Sequence, residues 1–228
     1  MMTRSEFVAS SAKPNFSAAY SKANEILVKS LVISMFPFSP IELVKEQSAI
    51  MCRTYKKAQK YGIDITAFGS DSATIFECDG RQIIFYDDSK VMTHVKYSIL
   101  HELGHSLINH DFSVNDKETY GQYEVETNYF AAQLLMPEQV LREFAKRGAR
   151  ITKEFLMEHF EVSETAAKKR IETLAKTTAE WRSRQEKEFD DIILCKFSAF
   201  INSTCPYSND YFDFEDEYER QRTRDSWF

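Results

Sequence analysis

The spacing of apolar residues changes several times along the chain, and each change predicts an element. Between residues 18 and 33, "AAYSKANEILVKSLVI" sets Ala23, Ile26, Leu27 and Leu31 on one stripe, the spacing of an amphipathic helix. Pro37 and Pro40 in "FPFSP" close that segment, because a proline pushes its predecessor out of the helical region. Ser39 then reads as an N-cap, with Pro40 in the first turn and Glu42 three residues on. This start predicts a second helix through "PIELVKEQSAIMCRTYKKAQKYG". "ATIFECDGRQIIFYDDSK" follows, with two short β-rich runs about Asp79 and Gly80, a dipeptide suited to a hairpin turn. A helical pattern returns from about Lys90 to Asn109. Residues 111–122 read as polar and turn-like, and 123–136 as a helix ended by Pro137.

Further on, "ITKEFLMEHFEVSETAAKKRIETL" carries Phe155, Leu156 and Phe160 before a Val-Ser turn, then Ala166, Ile171 and Leu174 at helical spacing. Ser163 is a suitable N-cap, with Glu164 in the first turn. The outline is a helix-turn-helix, with Lys168, Lys169 and Arg170 on its second helix. Residues 142–184 hold eleven basic against seven acidic side chains, while 185–228 hold five against eleven. Pattern and charge together predict three parts: residues 1–145, a helix-turn-helix-like subdomain at 146–184, and an acidic, aromatic C-terminal extension at 185–228.

Composition narrows the class. Apolar residues at 43% and aromatics at 14% suffice for a sizeable core. A net charge of −6 argues against a chain that coats nucleic acid. Cys52, Cys78, Cys195 and Cys205 form no C-x-x-C pair, which favours a reducing compartment over a disulfide framework. "MMTRSEFVASSAKPNF" lacks the apolar core of a signal peptide, and "EILVKSLVISMFPF" is too short and interrupted to span a bilayer. The expectation is a soluble cytoplasmic protein.

Candidate chemistry concentrates in "HELGHSLINH", residues 101–110, which holds three of the five histidines. Positions four apart share a helix face, so His101 and His105 can aim at one point as two corners of a zinc tetrahedron. Glu102 is rotated about 100° from them, the place for a base acting on water beside a metal. Gly104 costs about 1 kcal/mol against alanine inside a helix, which makes sense where something must approach closely. A catalytic zinc needs a third ligand, and "YEVETNYFAAQLLMP" supplies a carboxylate on a helix. Glu124, Asn128, Ala131 and Leu135 fall on one stripe, with Glu126 pointing elsewhere; Asn128 is placed to hydrogen-bond the outer nitrogen of a ligand histidine. His110 lies off the ligand stripe and reads as structural, and His94 and His159 stand alone.

"KYSILHELGHSLINH", "RQIIFYDD" and "EVETNYFAAQLLMP" together resemble the ImmA/IrrE-type metallopeptidases. The resemblance covers roughly residues 20–175. It implies an α+β fold with a zincin-like core, a small sheet with an HExxH helix and a glutamate helix, followed by the helix-turn-helix-like region. It implies one Zn2+ per chain held by His101, His105 and Glu124, with Glu102 catalytic. It further implies a protein substrate, a helix-turn-helix transcriptional repressor, as in the anti-repressor proteases of that family. Tyr86, His94, Tyr97, Tyr120 and Tyr123 are candidate partners for a developing oxyanion, and "RQIIFYDD" is the expected sheet edge for an extended substrate. DNA binding by the second half is a weaker expectation, since Glu164 and Glu172 share its short helix. The competing reading is a DNA- or protein-binding regulator whose zinc is structural or sensory and which cuts nothing.

Overall fold

The structure, a computed structural model, describes residues 13–64, 66, 72–78, 80–111, 116–176 and 184–207. It is α+β and mostly helical. Helix α1 (Phe16–Lys29) is capped by Asn15, whose side chain accepts from the Ala18 amide. Ser39 caps α2 (Pro40–Glu46) through the Glu42 amide, with Pro40 at its start. The helix expected to run on from there stops at Glu46. Ile50–Thr54 form strand β1 instead, and Tyr55–Lys60 form a separate short helix α3. Its cap is Thr54, which accepts from Lys57.

Strands β2 (Ala73–Cys78) and β3 (Arg81–Tyr86) pair antiparallel about Gly80, whose φ of +70° is the left-handed backbone such a turn demands. Strand β1 joins β3 in parallel, from Ile50 against Gln82 to Thr54 against Tyr86. The sheet order is therefore β1-β3-β2. This corrects the expectation that "RQIIFYDD" offers a free edge: β3 is central and paired on both sides. Strands β1 and β2 are the two edges, and β2 is the one beside Glu102.

Helix α4 (Met92–Leu107) lies against β2 and β3, and α5 (Lys117–Leu135) packs along α4 and α1. Helix α5 starts six residues earlier than its pattern suggests, with Asp116 as N-cap accepting from Thr119. After Pro137 come α6 (Glu138–Lys146), α7 (Lys153–Phe160), α8 (Glu164–Lys176), α9 (Arg184–Lys196) and α10 (Ser198–Thr204). Helices α7 and α8 meet across three residues, with Glu161 at φ 49°, Val162 buried and Ser163 accepting from the Ala166 amide.

One buried apolar cluster joins the elements from α1 to α10. Phe36, between α1 and α2, has its ring 5.3 Å from Phe160, 4.8 Å from Phe197 and 5.4 Å from Phe200. Lys196 of α9 donates to the carbonyls of Leu27 and Ser30, both at 2.6 Å, satisfying acceptors that the end of α1 leaves open. Tyr211, Phe212, Phe214, Trp227 and Phe228 of the extension lie outside the described residues. Among the described residues no helix is long and apolar enough to cross a membrane.

Candidate metal centre

The seam between α4 and α5 is unusually close, and Gly104 is the reason. A Cβ at that position would meet Phe130 Cδ1 at 2.9 Å and Thr127 Cγ2 at 3.3 Å. What approaches the glycine is a neighbouring helix's side chains. The close approach sets one turn of α5 opposite one turn of α4.

Across that seam His101, His105 and Glu124 converge. His101 Nε2 lies 3.3 Å from Glu124 Oε2, His105 Nε2 lies 3.3 Å from Glu124 Oε1, and the two ring nitrogens are 3.2 Å apart. A tetrahedral ion with bonds of about 2.0–2.1 Å separates its ligand atoms by about 3.3–3.4 Å. These separations, which run from the two ring nitrogens to the two oxygens of one carboxylate, are of that size, and one donor atom from each of the three side chains lies within 4.8 Å of the others. His105 is buried, and His101 and Glu124 are half-buried, so the cluster opens on one side.

Electrostatics follow from that geometry. Hydrogen bonds from His101 and then His105 hold the Glu124 carboxyl far below the ordinary range, against the opposing effect of burial. Burial works against a charged His101 ring, but Glu124, Glu102 and an Asn128 hydrogen bond outweigh it and lift its pKa. Burial raises Glu102 above its usual value, with the two histidines pulling the other way. Glu102 also accepts the Ile75 amide at 3.0 Å, so the edge strand β2 holds the carboxylate beside the cluster. Ser106 of α4 donates to Gln82 and ties the helix to β3.

Asn128 stands one turn after Glu124. Its Nδ2 donates to the Glu124 carbonyl at 2.6 Å, and its Oδ1 accepts from the Tyr97 hydroxyl at 3.0 Å. Of the other candidates for an oxyanion partner, Tyr120 hydrogen-bonds Glu124, and Tyr123 stacks on His110 at 4.1 Å. Tyr86 lies by Cys52 and Asp88, and His94 is exposed.

Two residues set aside in the sequence join the cluster from behind. Helix α4 ends with Asn109 in the left-handed region at φ 61°, and the His110 amide returns to the His105 carbonyl at 3.1 Å. This six-to-one closure folds His110 beneath His105. His105 Nδ1 and His110 Nδ1 are 3.0 Å apart, and His110 Nε2 is 2.9 Å from Glu126 Oε2. With His105 Nε2 bare for a metal, Nδ1 must carry the proton and donate to His110. His110 Nε2 then carries its own proton toward Glu126. Burial lowers the His110 pKa, in keeping with a neutral ring. Glu126 is buried and also accepts the Asn15 amide at 2.6 Å, so α1 braces the relay. The available signal was Asn109, a residue suited to the left-handed position just past a helix end.

No curated protein matches the chain. The model of the family described as the IrrE N-terminal-like domain, peptidase M78, matches residues 58–172, a span that contains α4, α5 and the whole cluster. The chain belongs to this family of zinc metallopeptidases.

Proposed function

We propose that the protein is a zinc-dependent endopeptidase of narrow, regulatory specificity, with His101, His105 and Glu124 as the metal ligands and Glu102 as the catalytic base. The observation that carries this reading is the convergence of two ring nitrogens 3.2 Å apart on one carboxylate, each 3.3 Å from one of its oxygens, spacings suited to the ligands of a tetrahedral ion. Two imidazoles and one carboxylate are a common donor set for catalytic zinc. When bound, zinc would acidify a water molecule and polarise the scissile carbonyl.

The chain's own groups do the rest. Glu102, its pKa raised by burial, takes the proton from water at its carboxylate and returns it to the leaving amine. The Ile75 amide keeps that carboxylate from swinging onto the metal. Asn128 and the His110–Glu126 pair fix the orientations of the two histidines. Tyr97 and Tyr120, one on each helix, carry hydroxyls bonded to Asn128 and Glu124 and are the proposed partners of the developing oxyanion. An extended substrate would add to the outer edge of β2.

The substrate class, a helix-turn-helix repressor, rests on the family resemblance. In this reading α7 and α8 form a helix-turn-helix-like unit, supported by their three-residue connection and the Ser163 cap. Its use in DNA binding is disfavoured, because Arg170 is 1% exposed and Lys168 is paired with Glu164 at 2.9 Å. The test is incubation of the purified protein with candidate repressors and mass spectrometry of the fragments. Glu102→Gln should keep one zinc per chain and lower turnover by roughly 10²–10⁴-fold. Equal cleavage by this variant would remove Glu102 from the mechanism.

A further inference from the structure

A second concavity begins one residue beyond Glu124. A groove of about 530 Å³ runs between α5 and α8, lined among others by Tyr97, Val125, Tyr129, Lys169, Arg170 and Lys176. Asn128 lines it too. Because Asn128 bonds both the Glu124 carbonyl and the Tyr97 hydroxyl, groove and metal centre share a wall.

The charges in this groove are one-sided. Among the described residues, three that line it are cationic and none is acidic. Lys168, just outside, is neutralised by Glu164. Lys169 and Lys176 are exposed, and among the described residues neither has a carboxylate within ion-pair distance. Arg170 is buried against neutral acceptors, the Met136 carbonyl at 2.9 Å and the Gln133 amide oxygen, and also lacks a carboxylate partner among them. Apart from the neutral polar Asn128 and Thr173, the remaining lining is apolar or aromatic, Val125, Ala132 and Tyr129 included. Cations beside an apolar wall, screened on one side by protein, favour an occupant with both apolar groups and negative charge. A phosphate backbone alone supplies only the charge.

We propose that this groove is the specificity subsite of the peptidase, taking an acidic stretch of the substrate polypeptide that carries a large apolar side chain, on one side of the bond to be cut. The apolar side chain packs against Val125 and Tyr129, and the carboxylates face Lys169 and Lys176. This assignment rests on the peptidase reading above. A substrate lying on β2 and crossing the cluster at Glu102 continues into the groove past Asn128, so recognition on this side positions the bond without touching the metal.

The test separates binding from cleavage. Full-length Glu102→Gln protein, loaded with zinc, is titrated with a fluorescein-labelled peptide alternating leucine or phenylalanine with aspartate or glutamate. A twin peptide carrying asparagine and glutamine in place of the acids is the comparison, and anisotropy is the readout. The expected result is at least tenfold tighter binding of the acidic peptide, weakened by salt. That preference should fall to within about twofold when Lys169→Glu and Lys176→Glu are added. Equal affinities, or a preference that survives the charge reversal, overturns the proposal. Displacement of the acidic peptide by duplex DNA at similar concentration assigns the groove to nucleic acid and also overturns it. Self-association that the charge reversal abolishes does the same in favour of a second copy. Failure of the wild-type protein to cleave any peptide would count against the peptidase reading, while the binding result would stand.

Discussion

Helix α5 carries two polar networks, one at its middle and one at its C-terminal end, and they differ in kind. At its middle, Glu124 and Glu126 meet His101, His105 and His110. Near its end, Gln133 donates to Asn24 at 2.8 Å and to Gln139 at 2.9 Å, and its amide oxygen accepts from Arg170. Gln139 continues the chain to the Tyr20 hydroxyl at 2.9 Å and to Asp190 at 2.8 Å. In the second network the oxygens of Asn24, Gln133 and Gln139 all face donors, and it fastens α1, α5, α6, α8 and α9, although Asn24 Nδ2 and Arg170 Nη1 find no hydrogen-bond partner among the described residues. In the first, two ring nitrogens and the two oxygens of one carboxylate, each able to serve as a metal ligand, lie 3.2–3.3 Å apart. Burial of polar groups alone does not distinguish chemistry from architecture. The direction of their lone pairs does.

Changes in the two networks should therefore separate metal binding from stability. His105→Ala removes a ligand and unhooks His110, and zinc affinity should fall by more than the 10–100-fold that outer contacts carry. Competition with a chelator dye reads this, and zinc should then no longer raise the melting temperature. Gln133→Ala acts oppositely: it strips Arg170, Asn24 and Gln139 of partners and should cost about 3 kcal/mol in urea unfolding, with zinc stoichiometry unchanged. Gly104→Ala tests the seam itself. Phe130 is fully buried and cannot easily yield, so the helices must part, costing about 1–3 kcal/mol and weakening zinc together. If stability drops while zinc affinity holds, the close approach of α4 and α5 does not set the site.

Glu126→Gln should weaken zinc binding about tenfold through the His110 relay, measured by the same competition. The last effect is confined to alkaline pH and concerns Cys52, outside both networks. Burial pushes its thiol from 9.0 up to about 12. The unfolded chain therefore releases this proton first as pH rises, and folding stability falls between pH 9 and 12. Cys52→Ala should reduce that slope by up to about 1.4 kcal/mol per pH unit. Parallel slopes for the two proteins would show that the thiol is not shielded.

The sequence exposed some of this architecture and concealed the rest, for physical reasons. The spacing of His101 and His105 fixes two donors on one helix face, and the stripe through Glu124 and Asn128 indicates which face of α5 they can meet. The Ser39 cap and the turn at Gly80 are local chemistry, and both were legible. Strand β1 was not: its five residues pair in parallel with β3, thirty residues away, and sit between helix-forming lysines and glutamines. For the same reason the order β1-β3-β2, and with it the free edge, could not be read from local pattern. His110 read correctly as lying off the ligand stripe, but its contact with His105 was missed because helical periodicity was extended past a helix that Asn109 had already ended. The groove at α8 needs elements more than forty residues apart and has no local signature.

X-ray absorption at the zinc edge tests the convergence of His101, His105 and Glu124 most directly. One zinc per chain, surrounded by two imidazole nitrogens and oxygen neighbours at about 2.0–2.1 Å and lost in His101→Ala/Glu124→Ala, is the expected result. Sulfur neighbours at about 2.3 Å, or full zinc occupancy in that double variant, would contradict it.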